Sequence, residues 1–315
     1  MNTIENILKK RGLKDVSNVS SISITEQYIK WDNIVLGEIL SQNELSFFKL
    51  EILTKGLNYF SNIIEYSVYV DKNFKFSSTF FSSKTLKNLY VNGGKLLASS
   101  KFDLPVLEKL TFSNVSFSKL NSSILQSHNL KELNLFHSNI KRLPDDLHHL
   151  HQLKSLSVYN KIESLDNVIF PESIEIIDLR GNSISEINSN VITKNIKKID
   201  LSQNPLFKVK ISESKNVLIF DISTTPIGCF EENYNKIRDI IPNVFFSEPT
   251  YNPIDSNPKV YDLSNYDQYL IDFYKSLSEK WRESDDPEFK RPFKVNKELI
   301  TIKKSDFHKT EINID

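Results

Sequence analysis

Three aspartates recur at nearly fixed distances, Asp178, Asp200 and Asp221, and Arg180 follows the first by two residues. If parallel strands stack them, their carboxylates lie about 4.8 Å apart, close enough for like charges to raise one another's pKa. Ca²⁺ wants about six to eight oxygen ligands, and three carboxylates fall short. Solvent, Arg180, Lys198 or a basic partner is the expected relief, and no metal is predicted. His148, His149 and His151 follow Asp145 and Asp146, but the i, i+4 histidine pair of helical zinc sites is missing. They read as polar positions between core Leu147 and Leu150. Cys229 is the single cysteine. A reactive thiolate needs a base or a cationic neighbour, none is evident in the sequence, and Cys229 reads as a buried structural residue. No Ser/His/Asp order, phosphate loop or dinucleotide fingerprint occurs. The sequence therefore predicts no catalytic residues and no cofactor.

What must position these residues is a repeat. The stretches LKELNLFHSNI from Leu130, IEIIDLRGNSI from Ile174, IKKIDLSQNPL from Ile196 and VLIFDISTTPI from Val217 share apolar residues at offsets 0, 3, 5 and 10. The same phase is found from Leu86, Leu107 and Leu153, with intervals of 21, 23, 23, 21, 22 and 21 residues. Offsets 3 and 5 alternate along a short strand, so both face one core. Asn182 and Asn204, at offset 8, are placed to hydrogen-bond turn backbone of neighbouring coils. The coil at Leu153 has lost a residue after Val158, which predicts a local irregularity.

The unit L-x-x-L-x-L-x-x-N-x-L resembles the leucine-rich repeat. The resemblance is firm over 86–229 and extends more weakly upstream. It implies an α/β solenoid: a curved horseshoe with parallel strands on its concave face, whose usual task is protein–protein recognition. Fold alone names no partner. Core leucines alternate with the concave positions. Offset 4 reads Tyr90, Thr111, Asn134, Ser157, Asp178, Asp200 and Asp221, and offset 6 reads Asn92, Ser113, Phe136, Tyr159, Arg180, Ser202 and Ser223. His137 and Asn160 follow at offset 7. The expected partner-binding residues are Tyr90, Phe136, His137, Tyr159, Asp178, Arg180, Asp200 and Asp221: an aromatic middle beside an acidic strip, suited to a protein partner with a basic patch. Some bacterial effectors join such repeats to a catalytic-cysteine ubiquitin ligase domain, but CFEEN at Cys229 lacks the Cys-x-Asp expected there.

An open solenoid needs its apolar ends covered. Residues 1–60 read as an N-terminal cap with degenerate repeats hinted by Leu45, Phe48, Leu50 and Leu53, and 61–229 as the solenoid. Residues 230–247 read as a C-terminal cap, and 248–315 as an extension with an amphipathic helix at 264–283. In that helix Tyr266, Tyr269, Leu270, Phe273, Tyr274, Leu277 and Trp281 form one stripe. The return segments predict a convex side poor in full helices. The 315 residues are 25% charged and 39% hydrophobic with zero formal net charge and only seven glycines. Neutrality argues against nucleic-acid or anionic-membrane binding, and no apolar run of about 18 residues occurs. The composition predicts a soluble cytoplasmic protein, or alternatively a secreted effector without a cleaved signal. Abundant Asn, Lys, Ile and Ser with little Gly is the composition of an AT-rich, bacterial-type genome. Other readings place activity in the extension, or make the chain a scaffold docking through 266–281. Oligomeric state is left open.

Overall fold

A computed structural model describes residues 4–227, apart from 14–17, 26, 118–119, 121, 207, 212–215, 223–224 and 226, and then 237, 241, 244–245 and 312–314. Cys229, nearly all of the 230–247 segment and the helix expected at 264–283 lie outside the described residues.

The chain opens with helix α1 (Ile4–Lys10), ended by Gly12 at a φ of 66°. Strands β1 (Ser21–Ile24), β2 (Ile29–Trp31) and β3 (Ile34–Val35) pair antiparallel in sequence. Helix α2 (Gln42–Lys55) follows, started by a capping box. In it the Ser41 N–H and hydroxyl each donate to Glu44 Oε2 at 2.9 Å, while Ser41 Oγ accepts from the Glu44 N–H. Leu45, Phe48, Ile52 and Leu53 are buried, but Leu50 is 65% exposed. The hint of a degenerate repeat through Leu50 is thus corrected. The capping box commits this stretch to a helix, and a 3.6-residue period turns Leu50 outward.

The repeat supplies parallel strands β4 (Glu65–Tyr69), β5 (Asn88–Asn92), β6 (Lys109–Ser113), β7 (Glu132–Phe136), β8 (Ser155–Tyr159) and β9 (Ile176–Asp178). Short β10 (Glu186–Ile187), β11 (Lys198–Asp200), β12 (Lys208–Ile211), β13 (Ile219–Asp221), β14 (Val244–Phe245) and β15 (Ile312–Ile314) complete the described strands. Among the described residues the main sheet has 12 strands, in the order β14-β13-β11-β9-β8-β7-β6-β5-β4-β1-β2-β3. β1 joins the parallel stack directly, Ser23 opposite Ser67, so the terminal hairpin extends the same sheet. A second sheet, β10-β12-β15, lies past the turns, with Val209 opposite Ile312 and Ile211 opposite Ile314.

Offsets 0, 3 and 5 form the core, as in Leu130, Leu133 and Leu135, all fully buried. Each such side chain contributes about 1.5–3 kcal/mol of burial. The early coils, poorer in leucine, are filled instead by Phe76, Phe80, Phe81, Phe102 and Phe112, with Phe76–Phe80 centroids 4.9 Å apart and Phe81–Phe102 4.7 Å apart. In the return segments the helical pieces are single 3₁₀ turns, Ser122–Gln126, Leu147–His149 and Ser189–Val191. Among the described residues no return contains an α-helix.

The turn after each strand explains both the asparagines and the irregular coil. Offset 7 adopts left-handed backbone at Gly93, Asn114, His137, Gly181 and Gln203, with φ between 52° and 85°. At offset 8, Asn182 donates to the Val158 and Leu179 carbonyls at 2.7 and 2.8 Å and accepts from the Asn160 and Ile162 N–H groups at 3.1 Å. Asn204 repeats the pattern one coil later, donating to Leu179 and Leu201 and accepting from Ile184. In the coil at Leu153 the missing residue is the left-handed one. Asn160 drops into the asparagine place, donating to Leu135 O at 2.8 Å and accepting from the Ser138 N–H. Asn160 is therefore part of the internal ladder, a correction to its assignment to the concave surface.

Candidate functional site on the concave sheet

The strand register assembles part of the expected surface directly. Phe136 on β7 stands opposite Tyr159 on β8, and both are half-buried. The exposed His137 ring meets Tyr159 edge-on at 4.9 Å. Tyr159 also lies over Gly181, where an added Cβ would sit 1.9 Å from the ring. Gly181 thus serves twice, supplying left-handed backbone with a φ of 65° and leaving room for the neighbouring tyrosine. Phe136, His137 and Tyr159 are thus neighbours on the sheet, with the turns at His137 and Gly181 packed against the Tyr159 ring.

Asp178, Asp200 and Asp221 also fall in one row across β9, β11 and β13. They do not make an open acidic strip: Asp200 is buried, and Asp178 is met by Arg180, the relief expected of it. The Arg180 Nε donates to both Asp178 oxygens at 3.0 Å, so that charge is already paired. Asp200 is only 5% exposed and accepts from the Ser202 hydroxyl at 2.7 Å and its N–H at 3.1 Å. Arg180 and Lys198 stand 3.9 and 4.0 Å from its other oxygen. Burial, the larger cause, and the charges of Asp178 and Asp221 push the Asp200 carboxyl above its ordinary range, while the Ser202 bonds pull it down. Short polar side chains between closely spaced strands are covered by their longer neighbours. Thr111 and Asn134 are buried in the same row, the Asn134 amide donating to Thr111 Oγ1 at 3.1 Å and Glu132 Oε1 at 2.7 Å.

Tyr90 is not brought to this patch. It sits on β5, two strands from Phe136, with its ring 5.3 Å from Tyr69. Its hydroxyl accepts from the Asn92 amide at 3.1 Å. Tyr69 is 38% exposed and Tyr28, on the hairpin, 40%. Burial of its hydroxyl, a hydrogen bond with Tyr90 and the nearby Tyr28 push the Tyr69 phenol up to about 12. Tyr69 occupies offset 6 of the coil from Ile63 and could have been found by continuing the concave columns one coil upstream. Tyr28 precedes the repeat, so no period marks it.

Offset 1 carries a ladder of ion pairs along one rim. Glu108 lies 3.1 Å from Lys87 and 2.8 Å from Lys131. Glu175 bridges Lys154 and Lys197 at 2.8 and 2.6 Å, and these two bonds hold its carboxyl down at about 2. The ladder is interrupted between Lys131 and Lys154. Among the described residues no group of three or more His, Cys, Asp or Glu could hold a metal ion, and no helix is long and apolar enough to cross a membrane.

The repeat spacing and the stacked parallel sheet give this chain the fold of a leucine-rich repeat solenoid. No known family profile matches the sequence, and no curated protein matches it. Among solved structures it is similar to a leucine-rich repeat protein of Leptospira interrogans, at 16% identity over 60% of this chain and 73% of the other, with a TM-score of 0.32. It is similar to the functional domain of InlJ from Listeria monocytogenes at 18% identity, over 51% of this chain and 35% of that one, with a TM-score of 0.34. A plant peptide hormone receptor, RGFR1 in complex with RGF2, gives 15% identity, 60% and 34% coverage and a TM-score of 0.37. This chain thus spans about a third of the last two. At these identities and scores the likenesses assign neither a partner nor an activity.

Proposed function

We propose that this protein is a non-enzymatic recognition module that binds a protein partner on its concave sheet. The contact centres on Phe136, His137 and Tyr159, with Asp178, Arg180, Asp200 and Asp221 beside them. The observation that carries the reading is the adjacency of Phe136 and Tyr159 in register, with Arg180 half exposed next to them on a guanidinium fixed by Asp178. Aromatic and arginine side chains held in one geometry lose little freedom on binding, which is the character of interface hot spots. The partner presents a basic group toward the row of aspartates. Asp200 shapes that field from below the surface rather than touching the partner. Residues 1–60 act as the cap of the first coil, 230–247 as that of the last, and the protein works in the cytoplasm or after export without a cleaved signal.

The test is capture of a partner by wild type and by a Phe136→Ala/Arg180→Ala variant, followed by affinity measurement. Loss of two hot-spot side chains is expected to weaken binding at least about tenfold. Equal affinity would remove the central patch as the binding site.

A further inference from the structure

We propose that a hollow at the N-terminal end of the concave sheet, lined by Tyr28 and Tyr90 and carrying Lys30 and Glu65, is a separate subsite that seats an extended peptide segment of a protein partner. That segment bears one carboxylate and one cationic side chain. This rests on the reading of the concave sheet as a protein-binding face and adds to it the place and chemistry of a second contact.

The hollow has a volume of about 950 Å³ and spans the junction of the terminal hairpin with the first coils. Its depth follows from the sheet order. Ser23 and Ser67 are directly opposed on β1 and β4, so small hydroxyl side chains form the floor, with Tyr28 and Tyr90 lining the hollow from the hairpin and from β5. Rigid tyrosines supply amphipathic contact area at low entropic cost, and serines supply adaptable hydrogen bonds. Tyr90 is fixed before any ligand arrives, because Asn92 donates to its hydroxyl and Asn114 in turn donates to Asn92 at 3.4 Å.

The charges set the ligand. Along most of this sheet they are matched internally: Lys109 with Glu132 at 2.8 Å, Glu108 with two lysines, Asp178 with Arg180. Within the hollow Lys109 is matched in this way and Asp32 accepts from the Ser20 and Ser21 N–H groups at 3.1 and 3.0 Å, which leaves Lys30 and Glu65 as its other two charges. Lys30 forms no side-chain hydrogen bond or ion pair with a described residue, and Glu65 accepts only from the Asn88 amide, at 2.9 Å. They stand on β2 and β4 with β1 between them, which puts their backbones about 10 Å apart across the sheet. A segment lying across the strands therefore meets a cation near one end and an anion near the other. The tyrosines disfavour a sugar, since Tyr69 and Tyr90 cover each other at a 41° tilt and offer no single flat platform.

The experiment immobilises the full chain, selects from a displayed library of random linear peptides, and probes the same protein with a glycan array. Enriched peptides should pair an acidic with a basic residue. Their affinity should fall about tenfold or more with Tyr90→Ala and with each of Lys30→Gln and Glu65→Gln, and stay unchanged with Phe136→Ala. The glutamine variants keep surface side chains of similar size, and circular dichroism checks that each variant folds. Peptides without a charge pair, or peptides that bind all three hollow variants like wild type, would overturn the proposal. Peptides lost with Phe136→Ala alone would overturn it while supporting the central patch. Glycans bound in a Tyr90-dependent manner, with no peptide enriched, would make the hollow a saccharide site instead.

Discussion

Gly181 and Asp200 carry the sharpest consequences at the scale of single residues. A methyl group at Gly181 meets Tyr159 ring atoms at 1.9 and 2.7 Å and must also adopt a φ of 65°. Gly181→Ala is expected to cost about 1–3 kcal/mol, read as a lower urea midpoint. Adding Tyr159→Ala should return the steric share of that loss and leave the backbone share. Asp200 behaves in the opposite sense. Its carboxyl is raised in the folded state, so the native chain binds this proton more tightly than the unfolded chain does. Stability from this group is therefore lost as pH rises from the ordinary carboxylate value through the raised one. Asp200→Asn keeps an acceptor for Ser202 without the charge. At neutral pH it should unfold at a denaturant concentration equal to or above wild type, and the gap should close as pH falls and Asp200 protonates. A variant clearly less stable at neutral pH would mean that Arg180 and Lys198 outweigh the burial cost.

Between elements, the asparagine ladder joins one coil to the next. Asn182 satisfies buried N–H and carbonyl groups on two coils at once, and no water can reach them. Asn182→Ala leaves several of these unpaired, each costing about 1–3 kcal/mol. A total loss of roughly 3 kcal/mol or more in chemical denaturation is expected. The two ladder asparagines at offset 8 were legible in the sequence because strand period and turn length place them. Asn160 was not, because deleting the left-handed residue shifts its count by one while its hydrogen bonds stay in phase. The stretch at 42–55 was ambiguous for another reason. Its apolar residues fit either a strand or a helix, and the Ser41–Glu44 box with burial on one side decided between them.

Across the whole molecule, the terminal hairpin is tied to the first coil by aromatic contacts. Trp31 lies 5.3 Å from Phe48 and 6.4 Å from Phe60, and Phe60 lies 6.3 Å from Tyr66. Because each coil rests only on its neighbours, loosening this end exposes the apolar face of the solenoid. Trp31→Ala should cost about 3–5 kcal/mol and lower the soluble yield, measured by urea unfolding and light scattering. The sequence by itself determined the solenoid, the alternation that separates core from concave face, and the adjacency of Phe136 with Tyr159 and of the three aspartates. These depend only on strand period and repeat length, which are local quantities. The tertiary structure alone decided which of the outward strand residues remain accessible, that Asp178 is paired and Asp200 buried, and that Tyr28 on the hairpin comes near Tyr69 and lines one hollow with Tyr90. Those outcomes depend on how side chains from different coils and from the hairpin cover one another, and no repeat period carries that information.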